Sequence, residues 1–183
     1  MALPLARTNA EAHLFMDLRP CRCGEVTFDR QSVVVEAEGD LASHYSGPCA
    51  RCGAPREFLF RLPEHILVPA ADEVRFGGDD PSELLDPGEW LWVADAYAGR
   101  GPAEISQLGD DERSAAREDL ATAAAAMEEV LKFIPPGADA VPTSGFWSDR
   151  GRAVHASEPG RFRRSRLEAV RDTYRQLLAG NTA

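Results

Sequence analysis

The sequence predicts an α+β protein: an antiparallel β module over residues 1–70, then a mainly α-helical part over residues 71–183. Three observations carry that expectation. Apolar residues alternate with a period of two through much of the first sixty positions and change to a helical period after Asp86. The four cysteines, Cys21, Cys23, Cys49 and Cys52, sit in two corners between the alternating segments. Proline and glycine clusters mark the breaks, and proline pairs with glycine at helix ends as capping requires. The two parts are expected either to share a core or to fold side by side.

In chain order, residues 12–18 read as a strand, with Leu14, Met16 and Leu18 on one face and Pro20 ending it. Val26 to Phe28 and Ser32 to Glu38 read as two more, the second with Val33, Val35 and Ala37 on one face. Gly39-Asp40 signals a turn, Leu41 to Tyr45 a weaker strand, and Arg56 to Leu62 a strand with Phe58, Phe60 and Leu62 on one side. Ile66 to Val68 and Val74 to Phe76 are candidate short strands. Asp86, Pro87 and Glu89 then form a box-like helix start, followed by Trp90, Val93, Ala94 and Tyr97 at helical spacing. Trp92 falls off that stripe and is expected at the surface. A long helix is expected over about 111–134, with Asp110 as N-cap and Ala116, Leu120, Ala123, Ala124, Met127, Val130, Leu131 and Ile134 facing inward. Residues 137–160 are irregular, with one short helix near 149–156. A last amphipathic helix spans 161–179, with Leu167, Val170, Tyr174, Leu177 and Leu178 inward.

Composition narrows the function. At 44% hydrophobic and 27% charged the chain is globular, not disordered. No stretch of about eighteen apolar residues occurs, so no membrane span is expected. The first residues lack the pattern of a secretory signal, which places the protein in the cytoplasm as an expectation. There thiols stay reduced, and paired cysteines point to metal before disulfide. Net charge is −10, unevenly spread: residues 65–110 carry −8 and residues 135–183 carry +3. Nineteen arginines against one lysine, with abundant alanine, fit a GC-rich bacterial genome and are no sign of arginine-specific recognition.

Cys49-Ala-Arg-Cys52-Gly53 is a CxxCG corner, and Cys21-Arg-Cys23-Gly24 is the same corner one residue shorter. Two thiolates on a tight turn can grip one ion, and the glycine supplies the backbone freedom the turn needs. Corner, strands, corner, strand over residues 12–62 resembles a zinc-ribbon (rubredoxin-like) module. That resemblance implies one structural zinc held by Cys21, Cys23, Cys49 and Cys52. Four thiolates close the coordination shell, which excludes a catalytic zinc with an open position. Three cysteines plus His13 or His44, or metal-free redox-active thiols, stay open as alternatives. A thioredoxin-type pair is disfavoured because a strand, not a helix, follows Cys52.

No catalytic set emerges. The four histidines, His13, His44, His65 and His155, form no HExxH pattern, and no nucleophile elbow or phosphate loop occurs. The sequence therefore reads as a non-enzymatic zinc-binding protein that acts by protein–protein interaction. A concrete version is an immunity or antitoxin-type inhibitor whose acidic residues 72–89 meet a basic partner. The alternative is a nucleic-acid-associated ribbon protein that uses the basic and aromatic residues of 146–166.

Overall fold

The computed structural model describes residues 3–65, 67, 70, 73–100 and 109–180. It has the α+β arrangement expected: a three-stranded antiparallel sheet in the N-terminal half and helices in the C-terminal part. The chain divides into two compact units. One comprises Met1–Val68 with Ser82–Leu84, the other Pro69–Pro81 with Leu85–Ala183.

The first unit opens with a helix, α1 (Asn9–Asp17), where the alternation of residues 12–18 predicts a strand. Thr8 caps it by accepting from the Glu11 amide, the Thr-x-x-Glu start that a capping box needs. The misreading has a physical cause. Ala12 and Met16 bury one side of the helix, Leu14 and Leu18 the other, so a helix covered on two sides copies the period of a half-buried strand. Glu11 is fully buried and accepts from the Arg7 guanidinium at 2.6 Å and from the Ser82 hydroxyl at 2.6 Å. That bond ties residues 82–84 to this unit.

The sheet is β1 (Gln31–Ala37), β2 (Asp40–Pro48) and β3 (Pro55–Arg61), in the order β1-β2-β3. The β1–β2 turn is centred on Glu38-Gly39, one residue before the expected Gly39-Asp40. Both have positive φ (52° and 89°), the backbone of a type I′ hairpin. In β3, Phe58 and Phe60 lie on the α1 side, with Phe15 edge-on to both. Val26 to Phe28 is not a strand; Phe28 makes only a single bridge to Cys49. Residues 74–76 form no strand, and Ile66 and Val68 lie outside the described residues.

The second unit holds α2 (Pro87–Ala98), α3 (Asp110–Leu131), α4 (Asp149–Ser157) and α5 (Arg164–Gly180). Asp86 caps α2 with Pro87 at the first helical position, as the sequence predicts. Its Oδ1 accepts from the Gly88 and Glu89 amides, and its Oδ2 from Trp147 and Ser148 at 3.0 and 2.7 Å. One buried carboxylate thus caps α2 and fixes the entry to α4. The two helices meet backbone to backbone at Gly88 and Gly151. Trp90, Val93 and Ala94 are buried and Trp92 is at the surface, both as expected. Gly109, not Asp110, is the N-cap of α3. On α5 Leu167 is buried, but Leu177 is exposed, against the inward stripe expected. The α5 carbonyl of Leu178 instead accepts from Arg117 of α3 at 3.0 Å.

Candidate metal centre

Each cysteine corner is a backbone ring closed around a glycine. In the second, which joins β2 to β3, the Cys49 amide donates to Ala54 O at 2.8 Å and the Gly53 amide to Cys49 O at 2.9 Å. In the first, which follows α1, the Cys21 amide donates to Glu25 O at 2.8 Å and the Gly24 amide to Cys21 O at 2.7 Å. The bonding is the same with one residue fewer in each ring. Gly24 and Gly53 have φ of 85° and 69°, a region closed to most side chains. The CxC corner is therefore a complete knuckle, one residue tighter than its CxxC counterpart.

The corners are held facing one another by more than their sulfurs. The Ala50 amide donates to Thr27 O at 3.0 Å, and Phe28 bridges Cys49. Arg51 reaches back across the site to Cys23 O at 3.0 Å and to the Glu25 carboxylate at 3.2 Å. That carboxylate also accepts from the Thr27 and Val26 amides, and these bonds hold its pKa below the usual range. From β3, the largely buried Arg56 donates to the carbonyls of Arg19, Glu25 and Val26, and its guanidinium stacks near Phe28 and Phe58. It braces the whole approach to the first corner.

The four sulfurs lie within 4.8 Å of one another. Two pairs that cross between corners are in contact: Cys21–Cys52 at 3.7 Å and Cys23–Cys49 at 3.6 Å. A tetrahedral ion with zinc–sulfur bonds of about 2.3 Å needs sulfurs about 3.8 Å apart. A disulfide needs about 2.05 Å. All four thiols are free, and their spacing suits a metal ion. Cys49 is buried, Cys21 and Cys23 are half-buried and Cys52 is exposed.

Electrostatics point the same way. Amide donation from Cys52, then from Arg51, holds the Cys49 thiol down at about 6. At Cys23 the Glu25 amide works to lower the pKa. Desolvation and the neighbouring sulfurs outweigh it and push the thiol up to about 11. Four crowded sulfurs cannot all ionise beside each other without a cation among them.

All four cysteines named from the sequence are thus brought together, and no histidine joins the cluster among the described residues. His13 stacks edge-on against Tyr45, and His155 packs against Phe146 and Phe162. Arg56, Arg51 and Glu25 escape a motif search. Arg56 carries the one available signal, since it shares the period-two face of Phe58 and Phe60.

Several other charged residues are engaged within the chain, most of them at its surface. Of the acidic stretch 72–89, Asp86 and Glu89 are buried, Glu83 pairs with Arg61, and Asp72 lies outside the described residues. In the basic tail, Arg161 pairs with Asp95 at 2.6 Å and Arg152 with Asp149 at 2.6 Å. Arg150 lies over the Trp92 ring at 4.5 Å. A cavity of about 470 Å³ in the helical unit lies against Ala121, Ala124 and Ala125 of α3. Lys132 at its margin is bonded to Gly78 O and to Glu129. No helix among the described residues is long and apolar enough to cross a membrane. Comparison with family models, with curated proteins and with solved structures returns no match to this chain.

Proposed function

We propose that the protein binds one zinc ion through Cys21, Cys23, Cys49 and Cys52, and that this ion shapes the N-terminal unit without taking part in chemistry. The observation that carries the reading is the set of four sulfurs within 4.8 Å. When bound, zinc supplies a closed tetrahedral crosslink between the two corners. The residues around it serve that crosslink: Arg56 and Arg51 fix the first corner, and the Cys52 and Arg51 amides favour the Cys49 thiolate.

Zinc per chain, measured by mass spectrometry on protein purified without chelator, tests the reading. One zinc per chain is expected, with loss in Cys23→Ser and Cys52→Ser. Wild-type protein well below one zinc per chain, or variants that retain full occupancy, would refute it.

The role of the whole protein, on this reading, is to bind another protein, in the manner of an immunity or antitoxin-type inhibitor of a basic partner. Its support is the net charge of −10 and the lack of a catalytic set. Electrostatic steering then makes association slow as salt rises. Copurification from the native host should give a stoichiometric basic protein, and its absence would remove the reading. The nucleic-acid alternative has less support, because within 146–166 Arg152 and Arg161 are engaged in ion pairs with acids of the chain itself and Arg150 lies over the Trp92 ring.

A further inference from the structure

The two edges of the sheet differ. The β3 edge is covered by the chain's own start: the Ala6 amide donates to Arg61 O at 3.1 Å and the Arg61 amide to Pro4 O at 2.9 Å. The β1 edge has no neighbouring strand among the described residues. It also lacks the devices that blunt an edge strand. Gln31-Ser-Val-Val-Val-Glu-Ala37 contains no proline, no lysine and one acid. Val33 and Val34 are 57% and 63% exposed on opposite faces of the sheet.

We propose that β1 is a self-association edge: a second copy of this chain pairs with it antiparallel, β1 against β1, joining two three-stranded sheets into one of six. A two-fold axis at Val34 selects the register. Val34 then faces Val34 of the other copy, Val33 faces Val35, Ser32 faces Glu36 and Gln31 faces Ala37. This register pairs all seven residues, sets every valine against a valine, and leaves no like charges opposed. A second copy fits this edge better than an arbitrary peptide because the strand is its own complement. The pairing is independent of the metal.

A seven-residue edge buries less than the roughly 1,600 Å² of a standard stable interface, so the dimer is weak, with a dissociation constant on the order of 10–100 μM. Sedimentation velocity over about 1 μM to 1 mM tests it. Wild type should pass from monomer to dimer, and amide exchange in residues 31–37 should slow as concentration rises. Val34→Lys places two lysines face to face on the dyad and should weaken association at least about tenfold. Val34 is exposed, so an unchanged circular dichroism spectrum shows that the fold survives. Leu41→Lys alters an equally exposed residue one strand in from the edge and should leave the dimer intact. Wild type that stays monomeric throughout overturns the proposal. So does a dimer broken by Leu41→Lys but not by Val34→Lys, which would mean association through the sheet face.

Discussion

Replacing Gly151 by alanine should unfold the junction of α2 and α4, and the size of the effect follows from Asp86. A methyl carbon built on Gly151 falls less than 3 Å from both Asp86 carboxylate oxygens. Either the methyl or the carboxylate must move. The carboxylate caps α2 through two amides and receives two more from Trp147 and Ser148. Loss of the cap costs about 1 kcal/mol. Leaving the Trp147 and Ser148 amides without an acceptor costs about 1–3 kcal/mol each if they stay away from water. Alanine offsets this by less than about 1 kcal/mol through helix propensity, since Gly151 is the third residue of α4. The net loss is about 2 kcal/mol or more. All three tryptophans, Trp90, Trp92 and Trp147, belong to the helical unit, so urea unfolding followed by tryptophan fluorescence reports this unit alone. Gly160→Ala is the control, because a methyl there meets nothing within 4 Å. If Gly151→Ala unfolds within about 0.5 kcal/mol of that control, Asp86 does not hold the α2–α4 junction.

Three further outcomes follow from local geometry. Arg56→Met keeps the stem between the rings but drops the bonds to Arg19, Glu25 and Val26; zinc affinity, measured by chelator competition, should fall on the order of tenfold or more with no cysteine altered. Glu38→Asn places a residue that tolerates positive φ in the β1–β2 turn and should raise stability by about 0.4–1 kcal/mol in urea unfolding monitored by amide exchange of β1 and β2. Burial, then the charge of Arg30, lowers the pKa of His13 from 6.5, with Asp17 opposing. The unfolded chain therefore binds a proton that the folded chain resists. The stabilisation is present above about pH 6.5 and is lost as pH falls through the folded value. In His13→Gln the loss of α1 protection between about pH 7.5 and 5.5 should be shallower; equal slopes would show that other groups set it.

The sequence discloses local chemistry well and long-range coupling poorly. The cysteine corners are legible because glycine, spacing and thiol chemistry all act within six residues. Asp86 is legible as a cap for the same reason, since its Oδ1 partners are two and three positions away. Its second oxygen is not, because Trp147 and Ser148 lie about sixty residues along and carry no motif. Residues 12–18 mislead because alternation reports burial, not backbone, and a helix clasped on two sides buries every second residue. Leu177 misleads in the opposite way. Amphipathic spacing identifies a face, but not how far along the helix that face stays covered. Arg56 defies the rule that charge faces water because backbone carbonyls and aromatic rings satisfy it from within.

The hairpin of β1 and β2 lies wholly between Cys23 and Cys49. Its far end is closed by the Glu38-Gly39 turn, and its near end by the corners. With an ion in place, this stretch is topologically a ring and not an open ladder. An ordinary hairpin frays from the end away from its turn, where Gln31 meets Ser46. Here that end is tethered, so both ends are pinned and the pairs between them can open only together. The metal then governs the order in which hydrogen bonds break as well as their number.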